Sequence, residues 1–270
     1  MERHFETLLS PLEEVDFMGQ VSHFLGIEFT WHYFPHGHLS VTLTQQSFTE
    51  NLLESLGYFS TNTSTFTSPH RSGMSIDSIP SPTMSTTDQD NLRLKYQYLL
   101  GSLNWLSHTT RPDLSTVVSL LAQHQSHPSQ GHLDAAHYVV KYLSYTRHLG
   151  IYFSSLGQHQ LESFLHFPVP SQLVSMLDAN WGPQDATRPS SPVESPLFTS
   201  RSMSAFYIDP LDPLHWMSKR QSVTAGSSAQ AEIYATNECV KFLIDLVQLL
   251  DFLEVKGIFM PGTTVINIQR

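Results

Sequence analysis

The sequence predicts an α+β protein: an N-terminal hairpin, a helical unit, then a second unit in which a long helix docks on a sheet. Three observations carry this. Residues 22–45, SHFLGIEFTWHYFPHGHLSVTLTQ, hold two β-rich runs around a turn containing Pro35 and Gly37. Between residues 92 and 146 three apolar patterns recur at helical spacing. From residue 173 onward, short strand-like runs precede a long amphipathic pattern that begins near Ser227.

In chain order, Phe48, Leu52, Leu53 and Leu56 lie at helical spacing and close on Gly57, which predicts a short helix with a glycine C-cap. Residues 60–91 are rich in Ser, Thr and Pro without periodicity and read as a linker. Leu92, Tyr96, Leu99, Leu103 and Leu106 share one helical face. Pro112 opens a second helix through about Gln125, and a third from about Gly131 to Thr146 carries Ala135, Val139, Tyr142 and Leu143. A second irregular stretch, 156–172, leads to LVSMLDANWG, a strand that meets a loop at Asp178. SMSAFYI and LHWMSKRQSV read as two further strands. Ser227 and Gln230 have the spacing of a capping box, and Ile233, Val240, Leu243, Val247 and Leu250 are expected to face a sheet. TTVINIQR begins a final strand.

Composition narrows the function. Fourteen Lys+Arg against 24 Asp+Glu give a formal net charge of -10, the opposite of the basic footprint of an autonomous nucleic-acid binder. The 15 histidines add positive charge only below about pH 6.5. No apolar run is long enough to span a bilayer, and the acidic N-terminus does not read as a signal peptide, so an intracellular protein, cytoplasmic or nuclear, without membrane contact is expected. The single cysteine, Cys239, argues against an internal disulfide and suggests no zinc site.

The order of several segments resembles the C-terminal part of the Pol polyprotein of copia-type retrotransposons, the end of the reverse transcriptase followed by an RNase H domain. VSHFLGIEF is similar to that family's primer grip. YQYLLGSLNWLSHTTRPDLSTVVSLLAQ with HLDAAHYVVKYLSYTRHLGIYF matches its helical block, and DANWG, RSMSAFYI and HWMSKRQSVTAGSSAQAEIYATNE match the start of its RNase H domain. The ordered set Gly101, Thr110-Arg111-Pro112-Asp113, His132, Ala135-Ala136 and Tyr142-Leu143 is the most specific part. The resemblance implies five regions: a primer-grip-like hairpin and helix (1–59), a linker (60–91), a thumb- or connection-like helical unit (92–155), a linker (156–172) and a truncated RNase H-like mixed sheet (173–270).

RNase H chemistry uses clustered carboxylates to hold two divalent metals, one activating water and one stabilising the leaving oxygen; hard Mg²⁺ favours such charged oxygen ligands. By resemblance, Asp178 is the first-strand carboxylate and Glu232 the helix carboxylate, the two facing across a metal-sized gap. Asn267 replaces the third carboxylate, and the fourth belongs to sequence beyond Arg270. Taken alone, Asp178 reads as a turn residue and Glu232 as an acid complementing a helix N-terminus; the resemblance reverses that preference. The paired aspartates of the family's Tyr-x-Asp-Asp segment do not occur in this sequence. The expectation is therefore a polymerase fragment that does not add nucleotides, binds Mg²⁺ weakly or not at all, and has little or no nuclease activity. An active nuclease completed by a partner and a non-catalytic scaffold are the alternatives.

Lys219 and Arg220, with His108 and Arg111, are the candidate contacts to an RNA/DNA hybrid, for which weak affinity is expected. Truncation of the second sheet implies self-association through uncovered apolar surface. His36 and His38, which flank Gly37 without supporting ligands, read as solvated histidines, and Trp31, Trp105, Trp181 and Trp216 as core residues.

Overall fold

The two strands expected between residues 22 and 45 are present in the computed structural model, which describes residues 19–35, 39–58, 66–71, 76, 85–154, 173–181, 201–209, 213–255 and 266–269. The hairpin turn at 36–38, the linker at 156–172 and the loop at 182–200 lie outside the described residues. Strands β1 (His23–Phe24), β2 (Ile27–Tyr33) and β3 (Leu39–Thr44) form an antiparallel sheet in sequence order. Leu25 and Gly26 join the first two, both at positive φ (47° and 74°), as a two-residue turn that follows the strand twist requires.

Helix α1 (Gln46–Ser55) buries Leu52 and Leu53 and ends as the sequence indicates, with Gly57 at φ 74°. The Gly57 and Tyr58 amides donate to the carbonyls of Glu54 and Leu53, the kind of closure that left-handed backbone permits. Helix α2 (Thr86–Thr109) starts six residues before Leu92, because Ser85 caps it by accepting from the Asp88 amide at 3.3 Å. A 3₁₀ turn (Pro112–Leu114), α3 (Ser115–Ala122) and α4 (Gln130–Thr146) follow. Leu92, Tyr96, Leu99, Leu103 and Leu106 of α2 are buried against Leu114, Val118 and Leu121 and against Ala136, Val139, Val140 and Leu143. Phe66 and Ile76, from the stretch read as linker, join this core, and Phe66 meets the Tyr138 ring edge-on at 4.9 Å.

Strand β4 (Ile151–Ser154) was not expected; it pairs antiparallel with β3, from Leu43↔Ile151 to Ser40↔Ser154. Gln45 and Thr110 share a buried 2.9 Å hydrogen bond, with the Thr110 hydroxyl donating. The hairpin, α1 and the helical unit therefore share one core and one sheet.

The second sheet contains β5 (Leu173–Asn180), β6 (Met203–Asp209), β7 (His215–Arg220) and β8 (Ile266–Gln269), in the order β7-β6-β5-β8. The first three are antiparallel and β8 is parallel to β5, so the sheet is mixed. The parallel return is made through α5 (Ser228–Val255), as a crossover requires. The Ser227 hydroxyl accepts from the Gln230 amide at 3.1 Å, but the Gln230 side chain accepts from Gly226 instead of Ser227.

The face that α5 lays on the sheet is Ala231, Ala235, Cys239 and Leu243, all buried, the last three against Leu177, Phe206 and Ile208. This corrects the expected stripe: Leu243 and Val247 belong to the cluster, Val240 does not, Ile233 is 60% exposed, and the side chain of Leu250 lies outside what the structure describes. Small residues four apart allow close approach of helix and sheet, and they outweigh the larger side chain two positions away. Among the described residues, no helix is long and apolar enough to cross a membrane.

Candidate catalytic face and nucleic-acid interface

The two-residue period of a pleated strand decides where the predicted acids lie. Ser175 and Leu177 of β5 are buried toward α5, as are their cross-strand neighbours Ile208 and Phe206 of β6 and, opposite Ala179, Ser204. Asp178 has the opposite parity. With Ala205 and Ser218 as its row across the sheet, it looks into a cleft of about 270 Å3 whose far wall is Pro112, Ser115 and Thr116 of the helical unit. Trp216 lines the same cleft, and its indole Nε1 donates to the Ser107 carbonyl at 2.6 Å. On the same face, Arg220 Nη1 donates to Gln123 Oε1 at 2.8 Å.

Glu232 is carried by α5, one residue after buried Ala231, and so belongs to the helix on the other face. The Gln221 side chain, donating to the Ala231 carbonyl and the Ser204 hydroxyl at 2.8 Å, fastens this first part of α5 to β6. Asp178 thus belongs to the sheet face turned away from α5, and Glu232 is carried on α5 itself. Asn267 of β8 lies opposite Val174, four residues before Asp178. At about 3.3 Å per residue this is about 13 Å along the strand, more than a shared metal site spans. Among the described residues no cluster of three or more His, Cys, Asp or Glu is placed to hold a metal ion.

Of the four nucleic-acid candidates, Arg111 is corrected outright. It is 2% exposed; Nε and Nη2 donate to the Asp113 carboxylate at 2.9 and 2.7 Å, and Nη1 and Nη2 donate to the Thr146 carbonyl and hydroxyl at 2.8 Å. Tyr142 donates its hydroxyl to the same carboxylate at 2.8 Å and lies under the guanidinium, which is 5.6 Å from its ring centre. Burial, then the Asp113 hydrogen bond and charge, push the Tyr142 phenol upward in pKa. Arg111 is a clamp between the 3₁₀ turn and the end of α4, with its fork spent internally.

His108 is exposed, its Nδ1 2.9 Å from the Asn104 carbonyl, and borders a cleft of about 220 Å3 with His215 and Trp216. His215 stacks on Phe242 at 3.8 Å; burial, and secondarily the charge of His108, lower its pKa. Three of the four tryptophans donate to backbone carbonyls: Trp31 to Val21, Trp181 to Ala225 and Trp216 to Ser107. Trp105 and Trp181, at 41% and 36% exposure, are not the core residues expected.

Lys219 and Arg220, at the end of β7, border a groove of about 420 Å3 whose other wall is Tyr234, Asn237, Glu238 and Lys241 of α5. Lys219 is ion-paired with Glu238. The α5 members escaped the sequence reading, although their spacing, i, i+3, i+4 and i+7, marks one helical face.

No family profile matches this chain, and no solved structure matches it. Curated relatives do. The retrovirus-related Pol polyprotein from transposon RE1 of Arabidopsis thaliana is 28% identical over 156 residues, covering 57% of this chain and 9% of that polyprotein. The corresponding RE2 polyprotein of the same plant is 27% identical over 234 residues, 85% of this chain and 13% of that polyprotein. The secreted RxLR effector protein 161 of Plasmopara viticola is 29% identical over 148 residues, 54% of this chain and 87% of that protein. The homologues thus include retrotransposon Pol polyproteins, at low identity, and support the reading of the chain as a copia-type Pol fragment. It spans about a tenth of the length of the RE1 and RE2 polyproteins.

Proposed function

We propose that this chain corresponds to the end of the reverse transcriptase and the start of the RNase H domain of a copia-type Pol polyprotein, and that it has little or no catalytic competence of its own. The observation that carries the reading is the build of the second sheet. The acid-bearing strand β5 is central, flanked by antiparallel β6 and parallel β8, and the crossover helix between β7 and β8 carries the second acid. A mixed sheet with acids on its first strand and its crossover helix supports that reading.

The residues present do not fit a two-metal centre. Such a centre needs several carboxylates converging on ions about 3.5–4 Å apart. Here one carboxylate opens toward the helical unit, one is carried on the opposite face, and the neutral Asn267 lies level with Val174. Mg²⁺ dehydrates reluctantly and keeps mostly water where protein oxygens are few. No cleavage step is routed through these residues.

The partner of the parent machinery is an RNA/DNA hybrid, and affinity for it here is weak because a net charge of -10 opposes phosphate neutralisation. The test is a hybrid-cleavage assay with Mg²⁺, run beside primer extension on the same substrate. The expected result is no nucleotide addition and no cleavage above that of Glu232→Gln. Robust Mg²⁺-dependent cleavage that Glu232→Gln abolishes would overturn the proposal.

A further inference from the structure

Lys219 and Lys241 lie on one groove in a chain that has 14 Lys+Arg against 24 Asp+Glu, while the Arg220 guanidinium is turned to Gln123 on the other face of the sheet. Within the groove, Glu238 stands between the two ammonium groups. One carboxylate oxygen accepts from Lys219 Nζ, and the other lies 3.9 Å from Lys241 Nζ. The hydrogen bond from Lys219 holds the Glu238 carboxyl below the usual range, so it is charged at neutral pH. An ionised carboxylate held this way presents the ammonium groups with the same charge and acceptor oxygens that a phosphodiester would. Around it, Asn237 and Ser222 add short neutral side chains. Cations with short polar groups grip backbone phosphates and carry little information about bases. The volume of about 420 Å3 lies within the usual range of binding pockets, about 300–1,000 Å3.

We propose that this groove takes the phosphodiester backbone of one nucleic-acid strand, and that Glu238 is its built-in counter-ion, occupying Lys219 and Lys241 until a phosphate displaces it. The class of ligand rests on the reading given above; the role of Glu238 is new to it. Exchange of one anion for another releases few salt ions, so binding is weak and shallow in its dependence on salt. Removing the carboxylate leaves two ammonium groups to solution counterions, which a phosphate then expels.

The test is anisotropy of a labelled RNA/DNA hybrid titrated with the full chain over a range of salt, with melting curves for every variant. Glu238→Gln is expected to bind about fivefold tighter at low salt and to steepen the log–log salt slope by about one to two. Adding Lys219→Met and Lys241→Met to that variant is expected to remove the gain. Unchanged affinity in Glu238→Gln overturns the proposal, as does a gain without a steeper slope or one that survives loss of both lysines. Glu238→Ala provides a second carboxylate-free form should Glu238→Gln melt early. Because cleavage is not read, failure here leaves the nuclease result standing, and cleavage by the parent chain leaves this test standing.

Discussion

Replacing Arg111 by methionine keeps an unbranched apolar stem but removes the four hydrogen bonds that the guanidinium donates to Asp113 and Thr146. Breaking a buried ion pair from one side costs about 3–5 kcal/mol, since the remaining charge loses its partner. The Asp113 side chain is 32% exposed and keeps the Tyr142 hydroxyl, so water relieves part of that penalty. The low end, about 3 kcal/mol, is the expected loss. In a chain of this size that lowers Tm by roughly 6–12 °C. Urea titration followed by circular dichroism measures it. Arg111→Lys is expected to recover only part of the loss, because an ammonium cannot reproduce the bidentate fork. Arg111→Met with Asp113→Leu is expected to be more stable than Arg111→Met alone, since no unpaired charge remains. A loss below about 1 kcal/mol, or weakened hybrid binding at unchanged stability, would refute the clamp and return Arg111 to the surface.

Two further outcomes are expected. A Cβ on Gly150 would strike the Leu43 carbonyl oxygen and approach Thr44 Cγ2 to 2.8 Å, so Gly150→Ala should cost about 2–3 kcal/mol and loosen β4 from β3, read as faster amide exchange across residues 39–44. Burial is the largest cause lowering the pKa of both His137 and His215, so below about pH 6.5 the unfolded chain binds more protons than the native one. Stability is therefore complete above that value and falls on acidification; urea midpoints at about pH 7.5 and 5.5 measure the slope, which His215→Phe should flatten while keeping the stack on Phe242.

Legibility in the sequence followed the range of the interaction concerned. The core face of α2 could be read because large apolar residues repeat at the helical period, and the end of α1 because Gly57 takes the left-handed backbone that ends helices. The first turns of α2 could not, since residues 86–91 are mostly polar and only the contact from Ser85 to Asp88 marks the start. β4 escaped because it is four residues long and its partner lies far back in the chain. On α5 the reading followed side-chain size to Ile233, whereas the docking face is set by Ala231, Ala235 and Cys239, where little volume is needed. Arg111 was misread for a similar reason: charge suggests surface, and only the converging Asp113, Thr146 and Tyr142 show that it is enclosed. The acids were assigned by type and order alone, whereas the faces they occupy depend on strand parity, which is settled only by what α5 and the helical unit cover.

The pairing of β3 with β4 orders events during synthesis. Leu43 waits for Ile151, a separation of 108 residues (151 minus 43), before the outer edge of β3 gains its neighbour. Until Ser154 has left the ribosome, the hairpin presents a row of unsatisfied backbone groups, and an edge of that kind is a template for another chain. Local helix formation in α2 to α4 proceeds meanwhile, yet the sheet can close only after α4 has brought the chain back. Folding of this half is therefore governed by closure of a long loop, a slow step, and the nascent protein is most exposed to aggregation in the interval before it.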